Sequence, residues 1–226
     1  MVLQFANHGD LRKYLKDNFS KLEWTDKLRV ACEILDGLKF LHENNIIHRD
    51  LHSKNILVHE EKMLIADFGL SKDETSRTSS STVCGMSAYI DPKCFEDEKY
   101  KRSKKSDIYS FGVILWEISS GRPPFDKFSE RNQVLAIHIL QGKREKPVEG
   151  TSNQYIQLFE RCWDHDPNRR PTIEEISENL SIISKILDFS VNSNNENVSI
   201  HSIAENIAVN QHSEDNHNEL NGDNLG

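Results

Sequence analysis

Long apolar runs, paired cysteines, excess positive charge and glycine-rich loops are all scarce in this sequence, and each shortage removes a class of function. No apolar run exceeds four residues, as in Val113-Ile114-Leu115-Trp116, far below the roughly 18 that a membrane-spanning helix needs. The opening Met1-Val2-Leu3-Gln4-Phe5-Ala6 has no basic segment and too few apolar residues for a signal peptide. Cys32, Cys84, Cys94 and Cys162 are scattered, with no C-x-x-C pair and no histidine at zinc-finger distance, which argues against a zinc site. Their even count permits two disulfides, but nothing else suggests secretion, so the expected setting is reducing and cytoplasmic. The Asn-x-Ser matches at Asn18 and Asn197 are then chance. A formal net charge of −8 offers no basic footprint for nucleic acid. Neither nucleic acid nor membrane is an expected partner. Among ten glycines no two stand as G-x-G, so a phosphate-cradling glycine loop is absent outright.

The hydrophobic share of 36% is low for a fully packed chain and implies a folded body with a polar attachment. From Asp188 to Gly226 there are seven acids, ten asparagines and no Lys or Arg. That stretch holds −7 of the formal charge and only isolated apolar residues, too few to offset chain entropy. The expected division is a body over 1–187 and a disordered, acidic, Asn-rich tail over 188–226.

Within the body, Met1–Phe5 reads as a short strand. Asp10 stands where an N-cap would, before Leu11, Tyr14 and Leu15. Trp24-Thr25-Asp26 opens a longer helix whose stripe is Leu28, Ala31, Leu35, Leu38 and Leu41, ending at Asn44-Asn45. Ile56-Leu57-Val58 and Met63-Leu64-Ile65 flank a charged turn and form a β-hairpin. From Ser71 to Thr82 the chain is polar and aperiodic, a mobile loop. Ser106-Asp107 begins a helix apolar on nearly every side, which belongs at a domain centre, and Gly121-Arg122-Pro123-Pro124 stops it. Further helices are expected over about 130–140, 155–163 and 172–187.

The chemistry concentrates in His48-Arg49-Asp50-Leu51-His52-Ser53-Lys54-Asn55, followed across the hairpin by Asp67-Phe68-Gly69. Each tripeptide alone is weak. In this order and spacing they resemble the catalytic and metal-binding loops of protein kinases. Phosphoryl transfer spreads negative charge over phosphate oxygens and calls for Mg²⁺ on oxygen ligands beside an aligned hydroxyl. The resemblance implies Asp67 and Asn55 as metal ligands, and Asp50 as the group that accepts or orients the hydroxyl proton. It also implies Asp107 as the acid that holds the catalytic-loop backbone, a residue type that an N-cap would equally favour. Cys162-Trp163 and Asp166-Pro167-Asn168-Arg169-Arg170-Pro171-Thr172 resemble the closing motif of tyrosine and tyrosine-kinase-like members, with Pro171 in the first turn of the last helix. Met1–Asp10 is similar to the last strand and hinge between the lobes. By that match Leu3 is the gatekeeper, Gln4 and Ala6 offer backbone groups to adenine, Asp10 reaches the ribose, and Leu57 is the adenine floor or an ordinary hairpin residue.

The departures carry equal weight. The glycine loop, the strand lysine and its helix glutamate, all required for activity in the family, are not in these 226 residues. His52 stands where Ser/Thr kinases carry a lysine, and Lys54 either neutralises the transferring phosphate or is a solvated surface lysine. Met86 replaces the threonine that usually follows Gly85. Asp91-Pro92-Lys93 replaces Ala-Pro-Glu, so the expected acidic partner of Arg170 becomes a lysine, with Glu96 or Asp91 as substitutes. Thr75, Ser76, Thr78, Ser79, Ser80, Ser81 and Thr82 are candidate sites for an upstream kinase, with Arg49 as the phosphate's dock.

The expected fold is mainly α (α+β): a protein-kinase-like C-terminal lobe with a small β-hairpin and without the N-lobe. The expected function is ATP- and Mg²⁺-dependent phosphoryl transfer to a protein hydroxyl, Ser/Thr favoured over Tyr, with little turnover from this chain alone. A non-catalytic, pseudokinase-like scaffold or binding module is the alternative.

Overall fold

The computed structural model describes residues 6–73, 86–128 and 132–188. The chain divides into a unit through Ile183 and a second from Ser184; the first is described below. The expected strand Met1–Phe5, most of the loop 71–82 and the tail from 189 onward lie outside the described residues.

The unit is mostly helical, as its heptad-like apolar spacing requires. Helix α1 (Leu11–Asn18) starts at Asp10, whose Oδ1 accepts from Lys13 N at 2.9 Å. Helix α2 (Trp24–Glu43) is closed at its start by a reciprocal cap between Glu23 and Asp26, which satisfies backbone donors that the first turn leaves open. Its stripe buries Leu28, Ala31, Leu35, Leu38 and Leu41. Strand β1 (Ile46–Ile47) follows. The hairpin is β2 (Ile56–His59) with β3 (Lys62–Ile65), Ile56 opposite Ile65 and His59 opposite Lys62. A second antiparallel pair, not expected from the sequence, joins β1 to β4 (Lys72–Asp73). Helices α3 (Lys93–Glu96), α4 (Lys104–Ser120), α5 (Asn132–Leu140), α6 (Asn153–Cys162) and the part of α7 (173–188) up to Ile183 complete the unit.

The centre is α4. Every residue from Ser106 to Ser119 is buried, so apolar contact surrounds it on all sides, each large side chain contributing about 1.5–3 kcal/mol when removed from water. It begins at Lys104, two residues earlier than expected. Ser103 and Ser106 cap it reciprocally, which frees Asp107 for another task. At Gly112 an added Cβ would lie 2.7 Å from Cys162 Cβ and 3.0 Å from Trp163 N, so α4 and α6 meet almost backbone to backbone. Gly121 ends the helix at φ 69. Pro171 precedes α7 rather than entering its first turn. Thr172 is the cap there, exchanging bonds with Glu175 at 2.7 and 3.2 Å.

Arg170 has a carboxylate partner, and it is Asp91. Two parallel bonds of 2.7 and 2.9 Å join them, with both side chains fully shielded. Ser106 and Tyr100 also donate to Asp91 Oδ2, at 2.9 and 3.0 Å. Lys93 turns outward to Glu96 at 2.6 Å instead of facing Arg170.

Candidate active site

The loop 48–55 is held by groups on four sides. Asp107 accepts His48 N on Oδ2 and Arg49 N on Oδ1, both at 2.9 Å, and His42 Nε2 lies 3.0 Å from Oδ2. Arg49 adopts φ 72, a left-handed turn that costs energy for a side-chain-bearing residue, and two amides on one carboxylate offset that cost. Arg102 donates to the Arg49 carbonyl. His48 Nδ1 accepts from Asp50 N at 3.3 Å, so its proton sits on Nε2, 3.0 Å from the Ala66 carbonyl. One imidazole therefore bridges the residue that carries Asp50 and the residue before Asp67.

Asp50 and Asn55 touch. Asn55 Nδ2 donates to the Asp50 carbonyl at 2.9 Å and approaches its Oδ2 at 3.4 Å. Committing the amide nitrogen inward leaves Oδ1, the oxygen that suits a hard cation, as the acceptor end. Ala66 N donates to the Asn55 carbonyl at 2.8 Å, which continues the hairpin ladder and carries Asp67 alongside. Asp67 lies at φ 62, ψ 77, with Oδ1 accepting from Gly69 N at 3.2 Å. Lys54 is exposed on the same loop.

The donor set fits magnesium: a carboxylate and an amide oxygen, all hard ligands. Among the described residues no cluster of three or more His, Cys, Asp or Glu holds a metal by itself; a Mg²⁺ site takes one or two carboxylates and completes itself with water and phosphate oxygens.

Beside the hairpin, His8 N and Val58 N bond Val58 O and Gly9 O at 3.1 and 2.8 Å, and Asp10 bridges to Leu57. Leu57 and Ala6 are half-buried there. Asp10 and Leu57 are thus neighbours, although one Asp10 oxygen caps α1. Gln4, with Leu3, lies outside the described residues.

Two features escaped sequence reasoning. His52 is buried. Its Nδ1 accepts from Asn55 N at 3.2 Å, its Nε2 lies 3.7 Å from Asp50 Oδ1, and its ring meets Tyr89 edge-on at 6.0 Å. Burial pushes its pKa down, against the pull of the Asp50 carboxylate, and Nε2 stands beside that carboxylate just beyond hydrogen-bond distance. The second is a buried cluster at the other end of α4. Glu117 accepts from Ser53 Oγ at 3.0 Å, from Arg12 Nε at 3.2 Å and from the Tyr89 hydroxyl, while Arg12 Nη2 donates to that hydroxyl at 2.7 Å. Burial raises the pKa of Glu117, and it raises that of Tyr89 well above 10, with the Glu117 charge adding to it. The only sequence signal was Glu117 itself, an acid inside an apolar helix.

A family model for protein tyrosine and serine/threonine kinases matches residues 1–180. A putative serine/threonine-protein kinase/receptor of Acanthamoeba polyphaga mimivirus is 31% identical over 194 residues, covering 84% of this chain and 12% of the viral protein. Serine/threonine-protein kinase STY46 of Arabidopsis thaliana is 30% identical over 186 residues, 82% of this chain and 32% of its own. A probable LIM domain-containing serine/threonine-protein kinase of Dictyostelium discoideum is 31% identical over 189 residues, with 82% and 28% covered. The chain spans at most about a third of these relatives' lengths. With a model match over most of its length, this chain belongs to the protein tyrosine and serine/threonine kinase family.

Proposed function

We propose that this chain supplies the catalytic-loop wall of a protein kinase that transfers the ATP γ-phosphoryl group to a protein hydroxyl, serine or threonine before tyrosine. The carrying observation is the contact of Asn55 with Asp50, tied through the Asn55–Ala66 hydrogen bond to Asp67. Asp50, oriented by Asn55, accepts or orients the proton of the attacking hydroxyl. Asn55 Oδ1 and Asp67 would hold Mg²⁺, which supplies charge neutralisation on the phosphates when bound. Lys54 adds positive charge beside them. Ala6, Asp10, Leu57 and the undescribed Gln4 form the adenosine side. The serine/threonine preference follows the printed names of the relatives.

With only this wall, phosphate clamping is lost and turnover by the isolated chain is minimal, because positioning provides most of the catalysis. The scaffold alternative draws on the same missing motifs. A cytoplasmic setting and the domain split at 187/188 belong to this reading as well. So does control by an upstream kinase acting on 75–82: among the described residues Arg49 Nε is buried without a partner, a donor that a phosphate could take up to order the loop. Phosphate absent from that loop in every cellular condition, by mass spectrometry, would remove this last element.

Mn²⁺ replacing Mg²⁺ tests the site in the full chain. Paramagnetic broadening should be saturable, centred on residues 50–57 and 66–69, and abolished by Asp67→Asn with Asn55→Ala. Broadening spread over unrelated surface carboxylates would sink the catalytic reading.

A further inference from the structure

Away from the catalytic loop, a cavity of about 240 Å³ opens where the last turn of α2 meets the beginnings of α4 and α7. Ile108, Pro171, Ile173 and the stems of Lys39, Lys104 and Lys105 make its walls largely aliphatic. Three lysines therefore border an apolar hollow. Lys105 Nζ is fixed by the carbonyls of Arg170 and Pro171 at 2.6 and 3.1 Å, neutral acceptors that leave its charge uncompensated. Lys104 Nζ donates to Asn45 Oδ1 at 3.2 Å. Lys39 meets Glu43 only at 4.0 Å, both side chains well exposed, an arrangement of little strength. The adjoining helix starts are already capped, by Ser103 with Ser106 and Thr172 with Glu175, so the lysines supply the attraction. The chain's own Glu174 lines the same hollow. Its carboxyl is held low first by its own backbone amide, and further by Thr172 and the charge of Lys39.

His42 gives this cavity a consequence. It is 7% exposed, lines the hollow, and contacts Asp107 Oδ2 at 3.0 Å. Asp107 in turn holds the amides of His48 and Arg49. Two hydrogen bonds separate the cavity wall from the backbone of the catalytic loop.

We propose that this cavity binds a small organic monoanion with an apolar body, such as an aromatic carboxylate, and that occupancy is transmitted to the His48–Arg49 backbone through His42 and Asp107. The apolar walls select the body, the lysines select the charge, and Glu174 competes with the ligand. The site stands whether or not the chain transfers phosphate, since none of its lysines belongs to the cleft.

Benzoate titrated into the full chain and followed by methyl and amide NMR tests it. The Ile108 and Ile173 methyls should shift saturably, with a dissociation constant on the order of millimolar for so small a ligand. The amides of His48 and Arg49 should follow the same curve. Benzamide, equal in shape and neutral, should bind several-fold more weakly. Glu174→Gln should tighten benzoate by about threefold and Lys39→Met weaken it by a similar factor, the scale of one exposed ion pair. In His42→Phe the methyl shifts should persist and the loop shifts vanish. If that variant fails to fold, the shared curve of methyls and loop amides in the parent chain decides the coupling. Absent methyl shifts, or equal binding of benzamide, would overturn the site; loop amides that stay still, or still move in a folded His42→Phe chain, would overturn the transmission.

Discussion

Arg170 and Asp91 are both shut away from solvent, so the cost of separating them falls on whichever partner stays behind. Arg170→Met strands a buried carboxylate and should lower stability by about 3–5 kcal/mol, read as a shifted urea midpoint. Lys93→Met removes only a partly exposed pair with Glu96 and should change stability by less than about 1 kcal/mol. Unaltered unfolding of the Arg170→Met chain would show that the pair does not form. Acidity tests the same contact. Burial by itself would raise the Asp91 pKa, but the hydrogen bonds and charge of Arg170 outweigh it and the net shift is downward. The folded carboxyl therefore binds its proton less tightly than the unfolded one, and stability rises with pH across that window. The contribution is complete above the ordinary carboxylate pKa of about 4 and disappears as pH falls through the lower folded value. Denaturation midpoints followed from about pH 5 downward should lose this part of the acid slope in Asp91→Asn.

Helix α4 shows how packing overrides local propensity. Alanine normally exceeds glycine inside a helix by about 0.8–1.0 kcal/mol, yet a Cβ at Gly112 would press on Cys162 and the Trp163 backbone. Gly112→Ala should therefore destabilise by about 1–3 kcal/mol, and a raised melting temperature would show that α4 and α6 have room to part. Elements of this size were legible in the sequence where periodicity is long: the stripe of α2, the all-apolar α4, and the hairpin emerge as expected, although His59 and Lys62 extend its strands and leave Glu60-Glu61 as the turn. Short or conditional elements were not. The β1–β4 pair has two residues per strand, too few to show alternation, and the first turn of α4 is polar because Ser103 and Ser106 cap it. At the site, Asp50, Asn55 and Asp67 were visible through motif order. Arg12, Ser53, Tyr89 and Glu117 were not, since four residues separated by as much as 105 positions share no local pattern.

At the scale of the molecule, Leu64, Phe68 and Leu70 are 41%, 49% and 37% exposed, an unusual concentration of large apolar side chains at the Asp67 turn and the strand before it. The purified chain should self-associate with rising concentration, and Phe68→Ser should reduce this in sedimentation velocity while moving the melting temperature little. Helix α4, finally, acts as a fixed ruler for the loop it supports. Asp107 grips residues 48 and 49, Glu117 grips Ser53, and the ten-residue step from one to the other sets the two grips about 15 Å apart along one rigid rod. Deleting a single residue between them would swing Glu117 by about 100° and draw it about 1.5 Å closer, releasing one end of the loop while the other stays held. The length of that stretch is consequently as constrained as the identity of the acids at its ends.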